Sequence, residues 1–169
     1  MKWYVLQFTA TRYMSVFTHL ERLNFSYFCP MKTERYRRPD KILSFREKSY
    51  PAFPGYLFIQ ADFEEIHSTK ITSIPYIQRF ISFGGEPLPV PEDVMQELLS
   101  RDWLSPNSKN VSKKSIPHRL AEILLMENAQ QRSMAFINYI TENSLTHKMK
   151  RKTNERYQTK NSKRAQTSA

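Results

Sequence analysis

Glycine is scarce in this chain, with three among 169 residues, and Cys29 is its single cysteine. So few glycines leave no room for a phosphate-cradling loop or a dinucleotide fingerprint, both of which need several at fixed spacing. One cysteine allows neither an internal disulfide nor a Cys-x-x-Cys zinc site, so a reducing compartment is expected and Cys29 reads as a buried strand residue. Long hydrophobic runs are also missing, and nothing approaches the roughly 18 to 20 apolar residues that span a bilayer. The opening Met1-Lys2-Trp3-Tyr4-Val5-Leu6 is interrupted by Gln7 and followed by Thr9, Thr11 and Arg12. It reads as a first strand and not as a signal peptide, and a cytoplasmic protein is expected. His19, His67, His118 and His147 show no metal-ligand spacing, so no enzyme, metal or other cofactor is expected.

Acidic residues are in deficit. Sixteen Asp and Glu face 26 Lys and Arg, a formal net charge of +10 with a pI near 9.8. Clustered cations supply the sequence-independent part of nucleic-acid affinity through counterion release, so a polyanionic partner is expected.

What the chain does have is aromatic residues in pattern. In Tyr50-Pro51-Ala52-Phe53-Pro54-Gly55-Tyr56-Leu57-Phe58-Ile59, two prolines and a glycine launch a strand. Alternation sends Tyr56 and Phe58 to one face of a sheet and Leu57 and Ile59 to the other. The aliphatic pair suits an interior under helices, which leaves the aromatic pair in need of a cover.

Around that stretch the order of elements is legible. Trp3 to Phe8 suits a buried central strand, and Tyr13, Val16, Phe17, Leu20 and Leu23 form the stripe of an amphipathic helix. Ser26 to Pro30 is a second strand, and Met31 to Ser49 a long basic loop or hairpin. Asp62, with Glu64 and Glu65 behind it, is expected to cap a short helix stopped by Pro75. Tyr76 to Phe83 follows as a strand, Gly84-Gly85 as a turn, and Pro91-Glu92-Asp93 as a helix start. This is the ferredoxin-like α+β order, with helices packed on an antiparallel sheet. It spans 1–103 and is followed by a breaker-rich linker, 104–115. In 116–150, the halves Leu120–Met126 and Met134–Ile140 suit either two strands or a helical hairpin, and periodicity does not choose between them. From 151 to 169 the chain is basic and polar and is expected to be a disordered tail.

Trp3-Tyr4-Val5-Leu6, Phe53-Pro54-Gly55-Tyr56-Leu57-Phe58-Ile59, Arg79-Phe80-Ile81-Ser82-Phe83-Gly84 and Val90-Pro91 occur in the order and at the separations of one family. They resemble the N-terminal domain of the NusG transcription elongation factors. Ile66-His67-Ser68-Thr69, His19-Leu20-Glu21-Arg22 and Arg132-Ser133-Met134 resemble its specialised RfaH-like branch. The resemblance implies antitermination in specific operons and RNA polymerase as partner. Tyr56, Phe58 and Phe83, with Phe53, Met95 and Leu98 at the rim, would dock on the clamp helices, and His67, Ser68 and Thr69 would touch the gate loop. Arg12 and His19 would contact the non-template DNA strand, although Thr9, Ser15 and Pro75 depart from the branch's DNA-contacting pattern. The same resemblance makes the 116–150 unit a helical hairpin or a KOW-like barrel, and admits the ribosome as its partner. A second reading is an RRM-like single-stranded RNA-binding module, which Gly55-Tyr56-Leu57-Phe58-Ile59 loosely echoes.

Overall fold

The structure, a computed structural model, describes residues 1–37, 44–99 and 118–166. Its centre is β1 (Lys2–Phe8), which pairs with β5 (Tyr56–Ala61) on one side and with β6 (Ile77–Phe80) and β9 (Pro89–Val90) on the other. β2 (Tyr27–Phe28) adds beyond β5, giving the order β2-β5-β1-β6 with every pair antiparallel. β1 and β2 therefore run the same way with β5 between them, the split crossover of the ferredoxin-like order. The α+β class read from the sequence is the architecture observed.

The register decides which side chains share a face. Tyr4 lies opposite Ile59 and Leu6 opposite Leu57, while Val5 lies opposite Phe58 and Gln7 opposite Tyr56. On the first face Tyr4, Leu6, Phe8, Leu57, Ile59 and Phe80 pack beneath Val16 and Leu20 of α1 (Tyr13–Arg22) and Ile71 of α2 (Ser68–Thr72). Burial there pushes the Cys29 thiol up to about 12, which leaves it an inert thiol at neutral pH.

The helix expected from Asp62 begins six residues later. Asp62 does accept from the Glu64 backbone N–H at 3.1 Å, but that turn ends at Ile66, and α2 starts at Ser68 with His67 as its N-cap. The basic segment after the second strand is a hairpin, β3 (Met31–Arg37) and β4 (Phe45–Pro51), in a sheet of its own. The Tyr76–Phe83 strand is broken at Ile81, whose N–H donates to Val5. Its end forms a small second hairpin, β7 (Ser82–Phe83) with β8 (Glu86–Pro87), around Gly84 and Gly85, both at positive φ. Helix α3 (Glu92–Leu99) follows, with Glu92 and Asp93 in its first turn opposing the helix dipole.

After the segment read as a linker, which lies outside the described residues, come α4 (His118–Leu125) and α5 (Ala129–Gln166). Asn128 caps α5, its side-chain oxygen accepting from the N–H groups of Gln130 and Gln131 at 2.9 and 3.0 Å. The basic tail, expected to lack structure, instead continues α5 as far as Gln166. No glycine or proline occurs after Pro117, so nothing local stops the helix once it has started. At 38 residues α5 is about 57 Å long, and the buried side chains described on it run from Arg132 to Ser144. No helix among the described residues is long and apolar enough to cross a membrane.

Candidate functional site

The second face of the sheet carries the aromatic residues. Val5, Phe53, Phe58 and Val90 form its floor, and Val94, Met95 and Leu98 of α3 form one wall. Trp3, Phe28 and Tyr56 pack at its edge, with Phe28 stacked on Phe58 at 6.2 Å. Pro54 and Gly55 make the turn into β5. Gly55 has φ +86, and a Cβ added there would lie 3.2 Å from the Phe8 carbonyl oxygen, so only glycine fits without strain.

This face is closed by the chain itself. Leu120 and Ile123 of α4, with Phe136, Tyr139 and Ile140 of α5, complete the same cluster. Phe136 stacks on Phe53 with centroids 3.8 Å apart and meets Phe58 edge-on at 5.9 Å. Phe58 is left 1 % exposed and Phe53 1 %.

Polar side chains fix the cover in register. Buried Arg132 donates through Nε to the Ala52 carbonyl at 2.7 Å, and through Nη1 to the Met126 carbonyl at 2.7 Å. One guanidinium thus ties α5 both to the turn after α4 and to the turn that leads into β5. Ser133 donates to the Pro54 carbonyl at 3.4 Å, so Ala52, Phe53 and Pro54 are each held by a residue of α5. Arg119 and Glu142 join α4 to α5 on the outside, with N···O distances of 2.5 and 3.2 Å. His147 and Lys148 reach Asp93 and Glu86 at 3.6 and 3.7 Å.

The structure brings Phe53, Tyr56, Phe58, Met95 and Leu98 together in and around one cluster. Phe83 stands apart on β7, 54 % exposed. His67, Ser68 and Thr69 belong to the opposite side of the sheet, at the start of α2. There the His67 Nδ1 accepts from the Thr69 N–H at 3.3 Å and lies 2.8 Å from its hydroxyl. Arg12 and His19 flank and occupy α1, two turns apart and so on one side of that helix. The Arg12 guanidinium lies over the Tyr76 ring at 5.5 Å, and the His19 Nδ1 is 2.6 Å from the Ser15 carbonyl. Among the described residues no three His, Cys, Asp or Glu side chains are placed to hold a metal.

The sequence offers the two apolar halves of 116–150 as a cover for the aromatic face without singling out Phe136, Arg132 or Ser133 as the residues that close it. The available signal was the spacing Phe136, Tyr139, Ile140, three and then one apart, which places all three on one stripe of a helix but not of a strand.

The architecture is thus an antiparallel α+β domain with one face of its sheet built into a core and the other, aromatic, face covered by the chain's own helices. A family model described as transcription termination factor nusG matches residues 1–99, and the chain belongs to the NusG family of transcription factors. Among solved structures it is similar to NusG of Thermotoga maritima, described under "Domain interaction in Thermotoga maritima NusG". The two are 23 % identical over 58 % of this chain and 55 % of that one, with a TM-score of 0.39, so this chain spans about half the length of that protein.

Proposed function

We propose that the chain is an operon-specific elongation and antitermination factor that binds RNA polymerase across its clamp and suppresses pausing and termination. One observation carries this reading beyond the family itself. The aromatic face is large, contiguous and closed by side chains of α4 and α5 that a partner could displace. Phe53, Tyr56 and Phe58, with Met95 and Leu98, dock on the clamp helices of the largest subunit, and Phe83 extends that contact from β7. His67, Ser68 and Thr69, exposed or half-exposed at the far side of the sheet, meet the gate loop of the other large subunit. Bridging the two disfavours the opened, paused clamp through binding alone, with no covalent step. Arg12 and His19 supply the contact to the displaced non-template strand. The closed cover lowers apparent affinity by the fraction of molecules that are open, so recruitment and opening are coupled. Once released, the α4–α5 segment refolds towards a barrel and becomes free to meet the ribosome.

Capture of RNA polymerase tests the docking step. Phe136→Ala, which loosens the cover, should raise capture several-fold, and adding Tyr56→Ala should remove the gain. Equal capture by the parent and both variants would overturn it. Refolding is tested separately by backbone chemical shifts of the isolated segment 110 to 155 and of the same segment in the full chain. Identical secondary structure in the two would sink that part.

The RNA-recognition reading has no comparable support. Base stacking would need the same cover over Phe58 to open first, and the family model that matches residues 1–99 is that of NusG.

A further inference from the structure

The β3–β4 hairpin is used by none of these contacts. Its strands pair only with each other, over seven residue pairs from Met31 with Pro51 to Arg37 with Phe45, and so reach about 24 Å from end to end. Every residue of Glu34–Arg37 and Phe45–Ser49 is exposed. The base is anchored by the Ala52 N–H donating to the Pro30 carbonyl at 2.7 Å, and by Tyr50 donating its hydroxyl to Glu34. That bond and Lys32 hold the Glu34 carboxyl below its ordinary range, and burial with the same bond pushes the Tyr50 phenol up to about 12.

Cross-strand partners share a face of a ribbon. Tyr36 with Arg46 and Glu34 with Lys48 lie on one face, and Arg35 with Glu47 and Arg37 with Phe45 on the other. Both faces therefore carry cations, Arg46 and Lys48 on one and Arg35 and Arg37 on the other. Among the described residues the ribbon's ion pairs are Lys32 with Glu34 at 3.2 Å and Arg35 with Glu47 at 3.8 Å. Arg37, Arg46 and Lys48 form no ion pair among the described residues, although Glu34 stands opposite Lys48 in the register. The guanidinium groups of Arg35 and Arg37 sit over the Phe45 ring at 5.1 and 5.7 Å, which restrains two long side chains before any partner arrives.

We propose that this ribbon is a second nucleic-acid site, an arm that enters the major groove of duplex DNA and pairs Arg35 and Arg37 with the phosphates of one strand and Arg46 and Lys48 with those of the other. The B-form major groove, about 12 Å wide, admits a two-stranded ribbon, whereas the major groove of A-form RNA is too narrow. A flat anionic surface or a single strand would engage one face and leave the cations of the other in water. Only a groove walled by two phosphate backbones uses both. The contact is to the backbone, so it adds affinity and orientation without reading sequence.

The test needs no polymerase, so its failure and that of the docking model are separable. The full chain is titrated, at several salt concentrations, against a blunt DNA duplex of about two helical turns, its single strand, and the RNA duplex of the same sequence. Duplex DNA should bind tightest. The variant Arg37→Gln/Arg46→Gln/Lys48→Gln, exposed positions whose circular dichroism should match the parent's, should weaken that binding at least tenfold. It should also flatten the slope of log affinity against log salt by about 2.7, the value for three lost phosphate contacts. A control of equal charge on α5, Lys150→Gln/Arg151→Gln/Lys152→Gln, should keep the preference for duplex DNA. No binding to duplex DNA, equal or tighter binding to the single strand or the RNA duplex, an unchanged slope in the ribbon variant, or loss of the preference in the α5 control would each overturn the proposal.

Discussion

The two faces of the central sheet are closed in different ways. Beneath α1 and α2 the buried side chains are apolar, and every residue of that cluster comes from 4–80, so neighbouring segments build the core together. The aromatic face is closed by helices that begin at residue 118, and they bring buried polar groups with them: Arg132, Ser133 and Ser144. The Ser144 hydroxyl has no hydrogen-bond partner among the described residues. Burying a guanidinium is costly even when it is well bonded, and an unpaired hydroxyl adds to that cost. The first face is thus closed by apolar packing of neighbouring segments. The second is a fitted cover, whose polar bonds set its position more than they deepen its stability.

The largest effects should separate the faces. Phe136→Ala removes the ring stacked on Phe53 and should cost about 3–5 kcal/mol, with Leu20→Ala costing about 2–5 kcal/mol on the other side. The totals overlap, but their distribution should not. Amide hydrogen exchange in Phe136→Ala should accelerate in α4 and in α5 to about Ser144 while β1 and β5 stay protected. In Leu20→Ala protection should fall throughout the sheet. Uniform loss in both variants would show that the two faces form one cooperative core.

Arg132 is the next lever. Arg132→Met leaves the Ala52 carbonyl buried without its donor and should weaken the cover by about 1–3 kcal/mol, read as faster exchange in the first turns of α5. Arg132→Lys keeps the charge but loses the fork that reaches Ala52 and Met126 together, so it should recover only part of the loss. If Arg132→Met tightened the cover instead, the polar anchors would not be what registers it, and the contrast between the faces would reduce to where the helices come from.

Gly55→Ala should act on both faces at once. It forces a side chain into the left-handed region and against the Phe8 carbonyl, at about 1–2 kcal/mol. Because β5 floors both clusters, exchange should rise under α1 and under α5 alike, which calibrates the face-specific variants.

The sheet was legible because its signals are local. Period-two alternation at Tyr56, Leu57, Phe58 and Ile59 set the two faces, and three-four spacing from Tyr13 to Leu20 set α1. The start of α2 was hidden because Asp62 offers a genuine cap, but to a turn of its own, and His67 is an uncommon N-cap. Phe83 was read on one strand with Phe80, since nothing in Arg79-Phe80-Ile81-Ser82-Phe83 marks the break that pairing of Ile81 with β1 imposes. The cover was ambiguous for a physical reason. Two apolar runs of seven residues are short enough for a strand or two helical turns, and the spacing of Phe136, Tyr139 and Ile140 selects the helix only once those three are known to share partners, Phe53 and Phe58, some 80 residues earlier.

The smallest effect is electrostatic and confined to the end of β5 beside α2. The Asp62 carboxylate accepts from the Glu64 backbone N–H and lies 3.1 Å from the Met1 ammonium. These contacts, in that order, hold its pKa below the ordinary 3.8. A depressed carboxyl binds its proton more weakly in the folded state than in the unfolded one. Its contribution is therefore fully present above pH 3.8 and is withdrawn as pH falls through the lower folded value. Asp62→Asn should flatten the acid limb of the stability curve below that point and leave stability near neutrality almost unchanged, because the group is open to solvent and screened. Exchange in α4 and α5 should follow the same pH profile in parent and variant, since none of the contacts that seat the cover involves Asp62. A change in the cover's profile would mean that acid at this end of β5 is felt on the opposite face, and the faces would have to be treated as coupled through the strand they share.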